Sequence, residues 1–295
     1  LIGINQILKT DVPFHKIDCT DLNEMRNIFE TYKDIYACIH FAAYKSVSES
    51  VENPKKYYAN NIGSTQVLLK CLENNKFKNL IFSSSCTVYG TPDILPVNED
   101  APFKKAESPY GETKQECEIL INTNMCNSVS LRYFNPIGSH NSGLIGDCSS
   151  DNASNLVPMV TEVASGIRDE LIVNGNDFNT HDGTCIRDYI HVQDLAIAHV
   201  KALDFLLDNN VKEVFNIGTG KGLSVLDIIN SFEEVNDLIL NYVIGPRRAG
   251  DVEQIYSDVD KTKNILGWRA NRTIKEALIS AWNWQMSKNS SENEK

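Results

Sequence analysis

The sequence predicts an α/β protein built on a parallel sheet, with a larger N-terminal part and a smaller C-terminal α/β part. Short apolar or β-branched runs alternate with longer amphipathic stretches, the order that parallel strands joined by crossover helices require. The runs are nearly continuous in apolar residues, as strands buried on both faces are. The alternation loosens after Phe134, where a run rich in Gly, Ser, Asn and Asp (138–155) intervenes before it resumes.

Taken in order, FHKID (14–18) reads as a strand and 21–32 as a helix. ACIHFA (37–42) is the next strand, followed by one long helix over 53–75. NLIFSSS (79–85) runs an apolar strand into three serines, and the helix over 108–124 follows it. SVSLRYF (128–134) is the fourth strand. Beyond the polar run come a helix over 156–166, strands over 171–175 and 185–192, and a helix over 193–207. Strands over 214–218 and 240–245 flank a helix over 224–232, and a last helix covers 273–286. The polar tail 287–295 is expected to fray. We divide the chain into 1–134, 135–286 (with strand and helix returns to the first part) and the tail.

A net charge of −11 with no Lys/Arg block argues against nucleic-acid binding, which needs clustered cations. No apolar run reaches membrane-span length, and no signal-peptide pattern opens the chain. The eight cysteines contain no CxxC pair, so neither a zinc site nor a disulfide framework is expected; reduced thiols in a cytoplasmic protein fit better. No metal site is expected.

The stretch SPYGETK (108–114) places Tyr110 four residues before Lys114, on one face of a helix. A tyrosine is a poor base, with a pKa of about 10, but a lysine ammonium beside it favours the phenolate. A second cation in a dry cleft, such as an oxidised nicotinamide ring, would bring it near neutral pH and let it take a proton from an alcohol. Ser85 ends a parallel strand, where ligands bind in open sheets, and is placed to bond the same hydroxyl. Ser83 and Ser84 read as strand-end caps.

FSSSCTVYG, SPYGETK, LRYFNPIGSH, DGTCIRDYIHV and PRRAGDV, in that order between about Phe14 and Met286, resemble the UDP-glucose 4-epimerases of the extended short-chain dehydrogenase/reductase family. The resemblance implies a Rossmann-type sheet and an NAD-dependent exchange of UDP-glucose and UDP-galactose. In it Tyr110 is the base, Lys114 holds the nicotinamide ribose and Ser85 bonds the 4-oxygen. It places Asp18, Cys19, Phe41, Ala42, Lys45, Asn60 and Phe134 against NAD. It places Asn135, Asn155, Leu156, Ile172, Val173, Asn174, Arg187, Arg248 and Asp251 around the UDP-sugar, with Ile255 at the gate that sets tolerance for N-acetylated hexoses. Two arginines suit a diphosphate, since a guanidinium fork matches phosphate oxygens; a salt bridge from Arg187 to Asp188 or Asp182 is the plain alternative. The resemblance also implies a homodimer through the helices starting near Pro54 and Ser108, where Tyr58, Ile62, Leu68 and Leu69 exceed what one helix face needs.

Three departures stand out. The family's glycine-rich turn is not found; the nearest stretch, NIGTGKGLS (216–224), lies in the C-terminal part and has no acidic residue suitably placed after it. The first two strands of the sheet would then lie ahead of Leu1, leaving 14–18 without a neighbour and 37–42 as an exposed apolar edge. Asn174 stands where an aromatic covers the uracil in the family. Related dehydratases carry an acidic residue after the strand-end serines, whereas this chain reads Cys86-Thr87-Val88, which favours a redox step with nothing beyond it. Another nucleotide-sugar enzyme of the same fold and a catalytically silent relative are the alternatives.

Overall fold

The computed structural model describes residues 1–76, 78–147 and 153–293, so Cys148 and part of the 138–155 run lie outside the described residues. Strands β1 (Cys38–His40), β2 (Asn79–Ser85), β3 (Asn127–Tyr133) and β8 (Lys212–Ile217) form one parallel sheet in the order β1-β2-β3-β8. Helices α5 (Gly63–Glu73) and α6 (Pro109–Thr123) cover one face, burying Leu68, Leu69, Leu72, Leu80, Phe82, Cys117 and Ile121. Helix α8 (Val192–Asn209) covers the other, with Ile81, Val129, Leu131, Leu195, Ala198 and Phe215 between. The result is the Rossmann-type layering of helix, parallel sheet and helix.

The C-terminal part has its own core. Strands β5 (Leu171–Asn174) and β10 (Tyr242–Gly245) pair in parallel. Helices α7 (Leu156–Ala164), α9 (Val225–Asn236) and α10 (Ile274–Asn293) pack with them around Val160, Leu171, Val173, Ile228, Ile229, Phe232 and Leu278. Strand β4 (Asn135–Ile137) pairs with β7 (Tyr189–His191), and β6 (Ile186–Arg187) lies between β9 (Leu223–Ser224) and β11 (Gln254–Ile255). Helices α1 (Ile2–Leu8), α2 (Leu22–Thr31), α3 (Val47–Glu52) and α4 (Pro54–Tyr57) complete the set.

The structure corrects several expectations. Residues 14–18 join no ladder. A strand exists only by pairing its backbone groups, and here Phe14 is exposed while the Asp18 N–H donates to Glu24. The segment 37–42 shrinks to β1, at the sheet edge, with Ile39 and Phe41 exposed. The single helix over 53–75 is broken by a π-helical turn at Tyr58–Ile62. The extra residue turns Asn61 inward, where its amide bonds both backbone groups of Tyr44 and the hydroxyl of Thr113.

The strand over 185–192 divides at Asp188, whose buried carboxylate accepts bonds from Thr219, Gly220 and Ser257. The last helix continues past 286 to Asn293. Leu68 and Leu69 are spent in the chain's own core, so of the four apolar residues read as surplus only Tyr58 and Ile62 are not fully buried.

Candidate active site

Helix α6 begins with Ser108 as its N-cap, the hydroxyl accepting from the Gly111 N–H at 3.2 Å, and with Pro109 in its first turn. Gly111 has a steric reason: a Cβ there would sit 3.2 Å from the Thr87 carbonyl, so glycine lets the helix start press against the turn leaving β2. That turn (Cys86–Tyr89) is capped by Ser85, whose hydroxyl accepts from the Thr87 N–H. Tyr110 and Ser85 are thereby brought near each other, close enough for the Ser85 hydroxyl to favour the phenolate.

Lys114 is 3 % exposed. Its ammonium donates to the Ser83 carbonyl at 2.6 Å and lies 4.8 Å from the Phe82 ring centroid and 5.8 Å from that of Tyr110. Burial pulls its pKa down to about 8, against the pull of Cys117 and Glu118. Burial also pushes the Tyr110 phenol up to about 12, with the nearby Ser85 hydroxyl working the other way and Cys86 and Cys117 reinforcing the rise. The lysine alone therefore does not make Tyr110 a phenolate; desolvation wins. His40, closing β1, is held neutral, down to about 4, by burial and by the Lys114 charge.

Four of the residues assigned to a dinucleotide fall at the carboxyl ends of three adjacent parallel strands. Phe41 and Ala42 follow β1, Ser85 ends β2 and Phe134 follows β3. Asn60 lies in the π-helical turn, which packs against α6. Lys45, half exposed, pairs with Asp147 at 3.5 Å. Asp18 and Cys19 stand apart on the unpaired segment; both Thr20 donors occupy one Asp18 oxygen and lower that carboxyl's pKa. A buried ammonium beside the Tyr110 ring, next to the strand end that carries Ser85, suits a nicotinamide ribose, so the residues present fit that half of NAD. The glycine stretch 216–224 does not suit a phosphate: its Thr219 and Gly220 N–H groups already bond Asp188, and a Cβ at Gly218 would meet that carboxylate at 2.4 Å.

A cleft of about 220 Å³ lies in the C-terminal part, lined by Ser154, Met159, Arg168, Ile172, Asn174 and Arg248. Asn155 and Leu156 start α7 beside it, and Asn155 makes no side-chain cap bond. Val173 is buried in the core beneath. Arg248 chelates Asp251 with bonds of 3.1 and 2.8 Å, and Arg187 reaches the same carboxylate at 3.7 Å. Arg187 thus takes neither Asp188 nor Asp182, whose oxygens are occupied by Thr219, Gly220 and Ser257 and by Thr184 and Ser224. Asn135 opens β4. Ile255 is buried in one cluster with Phe134, Cys86 and Val88, which ties it to the Ser85 turn. Arg168 was not legible as a lining residue: it sits in a polar turn and is held by Glu162, with no motif to mark it.

Residues 3–280 match the family model described as GDP-mannose 4,6 dehydratase. The chain is 44% identical to the UDP-glucose 4-epimerase of Drosophila melanogaster, over 97% of this chain and 83% of that one. The crystal structure of the Bifidobacterium longum UDP-glucose 4-epimerase in complex with NAD+ and UDP superposes with a TM-score of 0.94 at 41% identity, covering 98% of this chain and 87% of that one. The Stenotrophomonas maltophila UDP-glucose-4-epimerase with bound NAD and formylated UDP-arabinopyranose gives 0.94 at 39% identity, with the same coverage.

Proposed function

Because this chain belongs to the UDP-glucose 4-epimerase family, we propose that it interconverts UDP-glucose and UDP-galactose by transient oxidation at C4, as an NAD-dependent isomerase of galactose metabolism. The observation that carries the reading is the meeting of Tyr110, Ser85 and Lys114 at the carboxyl end of β2, on a chain this similar to those enzymes. The segment Cys86-Thr87-Val88 offers no carboxylate for a dehydration, which favours the epimerase over the dehydratase for which the matching family model is named.

Ser85 bonds the 4-hydroxyl and orients it; Tyr110 takes its proton and returns it after the sugar has presented its other face. Bringing a phenol from about 12 to neutral pH takes about 7 kcal/mol at 1.36 kcal/mol per unit. One neighbouring charge in a partly buried cleft supplies about 4 kcal/mol at most, so Lys114 alone falls short. NAD supplies, when bound, a second positive charge and a hydride acceptor regenerated within the turnover.

We assign 1–134 to the dinucleotide and 135–286 mainly to the sugar nucleotide. Arg187 and Arg248 face the diphosphate once released from Asp251, and the Asn174 cleft takes the base. A homodimer through the α4–α5 and α6 faces is part of the same proposal. Tyr58 and Ile62, apolar residues of that face that are not fully buried, support it. The absence, among the described residues, of any helix long and apolar enough to cross a membrane and the seven free described thiols fit work in the cytoplasm.

The test is turnover of the NAD-loaded full chain on UDP-galactose and, side by side, on UDP-N-acetylgalactosamine. Ile255 is smaller than a tyrosine yet β-branched, so the acetamido sugar is expected to convert at a measurable but lower rate. Ile255→Tyr should suppress that second conversion alone. No conversion of UDP-galactose by the parent would refute the reading; an unchanged ratio in the variant would remove Ile255 as the gate.

A further inference from the structure

A buried ion pair lies one rung below the candidate site. Glu118 and Arg132 are 6 % and 5 % exposed, and the guanidinium grips the carboxylate with both prongs, at 3.0 and 2.7 Å. Each partner reaches further. The Ser84 hydroxyl donates to the same carboxylate. The guanidinium also donates to the Tyr89 hydroxyl at 2.9 Å and the Glu99 carbonyl at 3.2 Å, and lies over the rings of Tyr89 and Phe103. Tyr89 donates in turn to the Asn216 side chain at 2.6 Å.

The sheet register gives this network its meaning. Ser84 on β2, Arg132 on β3 and Asn216 on β8 are direct cross-strand partners. Ser84 immediately precedes Ser85, and Arg132 lies two residues before Phe134. Glu118 lies one and two turns beyond Lys114 and Tyr110 on the same face of α6. One carboxylate therefore ties the helix that carries the tyrosine and lysine to the two strands that carry Ser85 and Phe134. Burying two charges is a poor way to gain stability, because a well-packed apolar pair serves as well or better. What it gives instead is a fixed register, since a bidentate fork tolerates no sliding.

We propose that Glu118 and Arg132 are positioning residues for the C4 oxidation: they set the height of α6 on the sheet, and with it the convergence of Tyr110 and Lys114 on Ser85. The inference rests on the epimerase reading. The experiment compares the NAD-loaded parent with Glu118→Met/Arg132→Met and with Ser84→Ala, measuring unfolding temperature, sugar-nucleotide Kd, KM and kcat on UDP-galactose. The apolar double variant, in which better packing offsets the loss of partners for the Ser84 hydroxyl and the Glu99 carbonyl, is expected to stay folded within a few degrees of the parent, yet to lose roughly 10²-fold in kcat with Kd within about threefold, as a misplacement near 1 Å does. Ser84→Ala, which spares the ion pair and so keeps the fold, should lose about three- to tenfold in kcat at unchanged KM, the worth of about one hydrogen bond.

A double variant that folds and turns over within twofold of the parent overturns the proposal, and if the double does not fold, parental kcat in Ser84→Ala does the same. A parent that fails on UDP-galactose points instead to failure of the epimerase reading, while calorimetric Kd still reports on the fold.

Discussion

At Lys114 a single side chain carries opposite costs for folding and for chemistry. Its pKa is about 8 in the folded chain against a reference of 10.5. Below pH 8 both states hold the proton, and the buried ammonium costs the native state about 3 kcal/mol. Between pH 8 and 10.5 the unfolded chain binds more protons than the folded one, so stability rises with pH and the cost disappears. Lys114→Met, which forgoes the charge and the bond to the Ser83 carbonyl, is therefore expected to be about 2 kcal/mol more stable than the parent at pH 7 without NAD. The gap should close between pH 8 and 10.5 in denaturant titrations. A parent more stable than the variant at pH 7 contradicts this account of the lysine. The stability given up is what keeps a cation under the phenol.

Among the elements, the short strands around Asp188 show how a buried carboxylate replaces regular pairing. It receives donors from the turn after β8 and from Ser257 after β11, and so ties the C-terminal strands to the parallel sheet. Asp188→Asn keeps the shape but turns an all-acceptor group into one with a donor facing donors. A loss of about 2–4 kcal/mol is expected, as for a buried charged hydrogen-bond network broken on one side. Gly218→Ala should destabilise through the same contact, because its Cβ would lie 2.4 Å from both Asp188 and Ser257 oxygens. Melting temperatures of the two variants within a degree or so of the parent's would show that the carboxylate is not the tie described.

Across the whole molecule, what the sequence made legible was what has a period or a motif. The parallel strands over 79–85 and 128–134 and their helices were readable because apolar runs and turn residues mark them locally. Tyr110 and Lys114 on one face of α6, and Ser85 at the end of β2, are placements that helix spacing and a strand end predict. What escaped depends on partners distant in sequence. Residues 14–18 have strand composition but no ladder to join. The π-helical turn exists for Asn61's bonds to Tyr44 and Thr113. Ser84 looked like a strand-end cap and proves to bond Glu118. Arg168 lines a cleft only because β5 and α7 bring it there. The central claim, that Tyr110 is the acid and base of a reversible oxidation at C4, is tested most directly by Tyr110→Phe in the NAD-loaded full chain. The variant keeps the ring and loses only the proton acceptor, so calorimetry should find UDP-galactose bound within about threefold of the parent while conversion to UDP-glucose falls by at least about 10³-fold. Retention of more than about a tenth of the parental kcat would contradict the claim and place the base elsewhere.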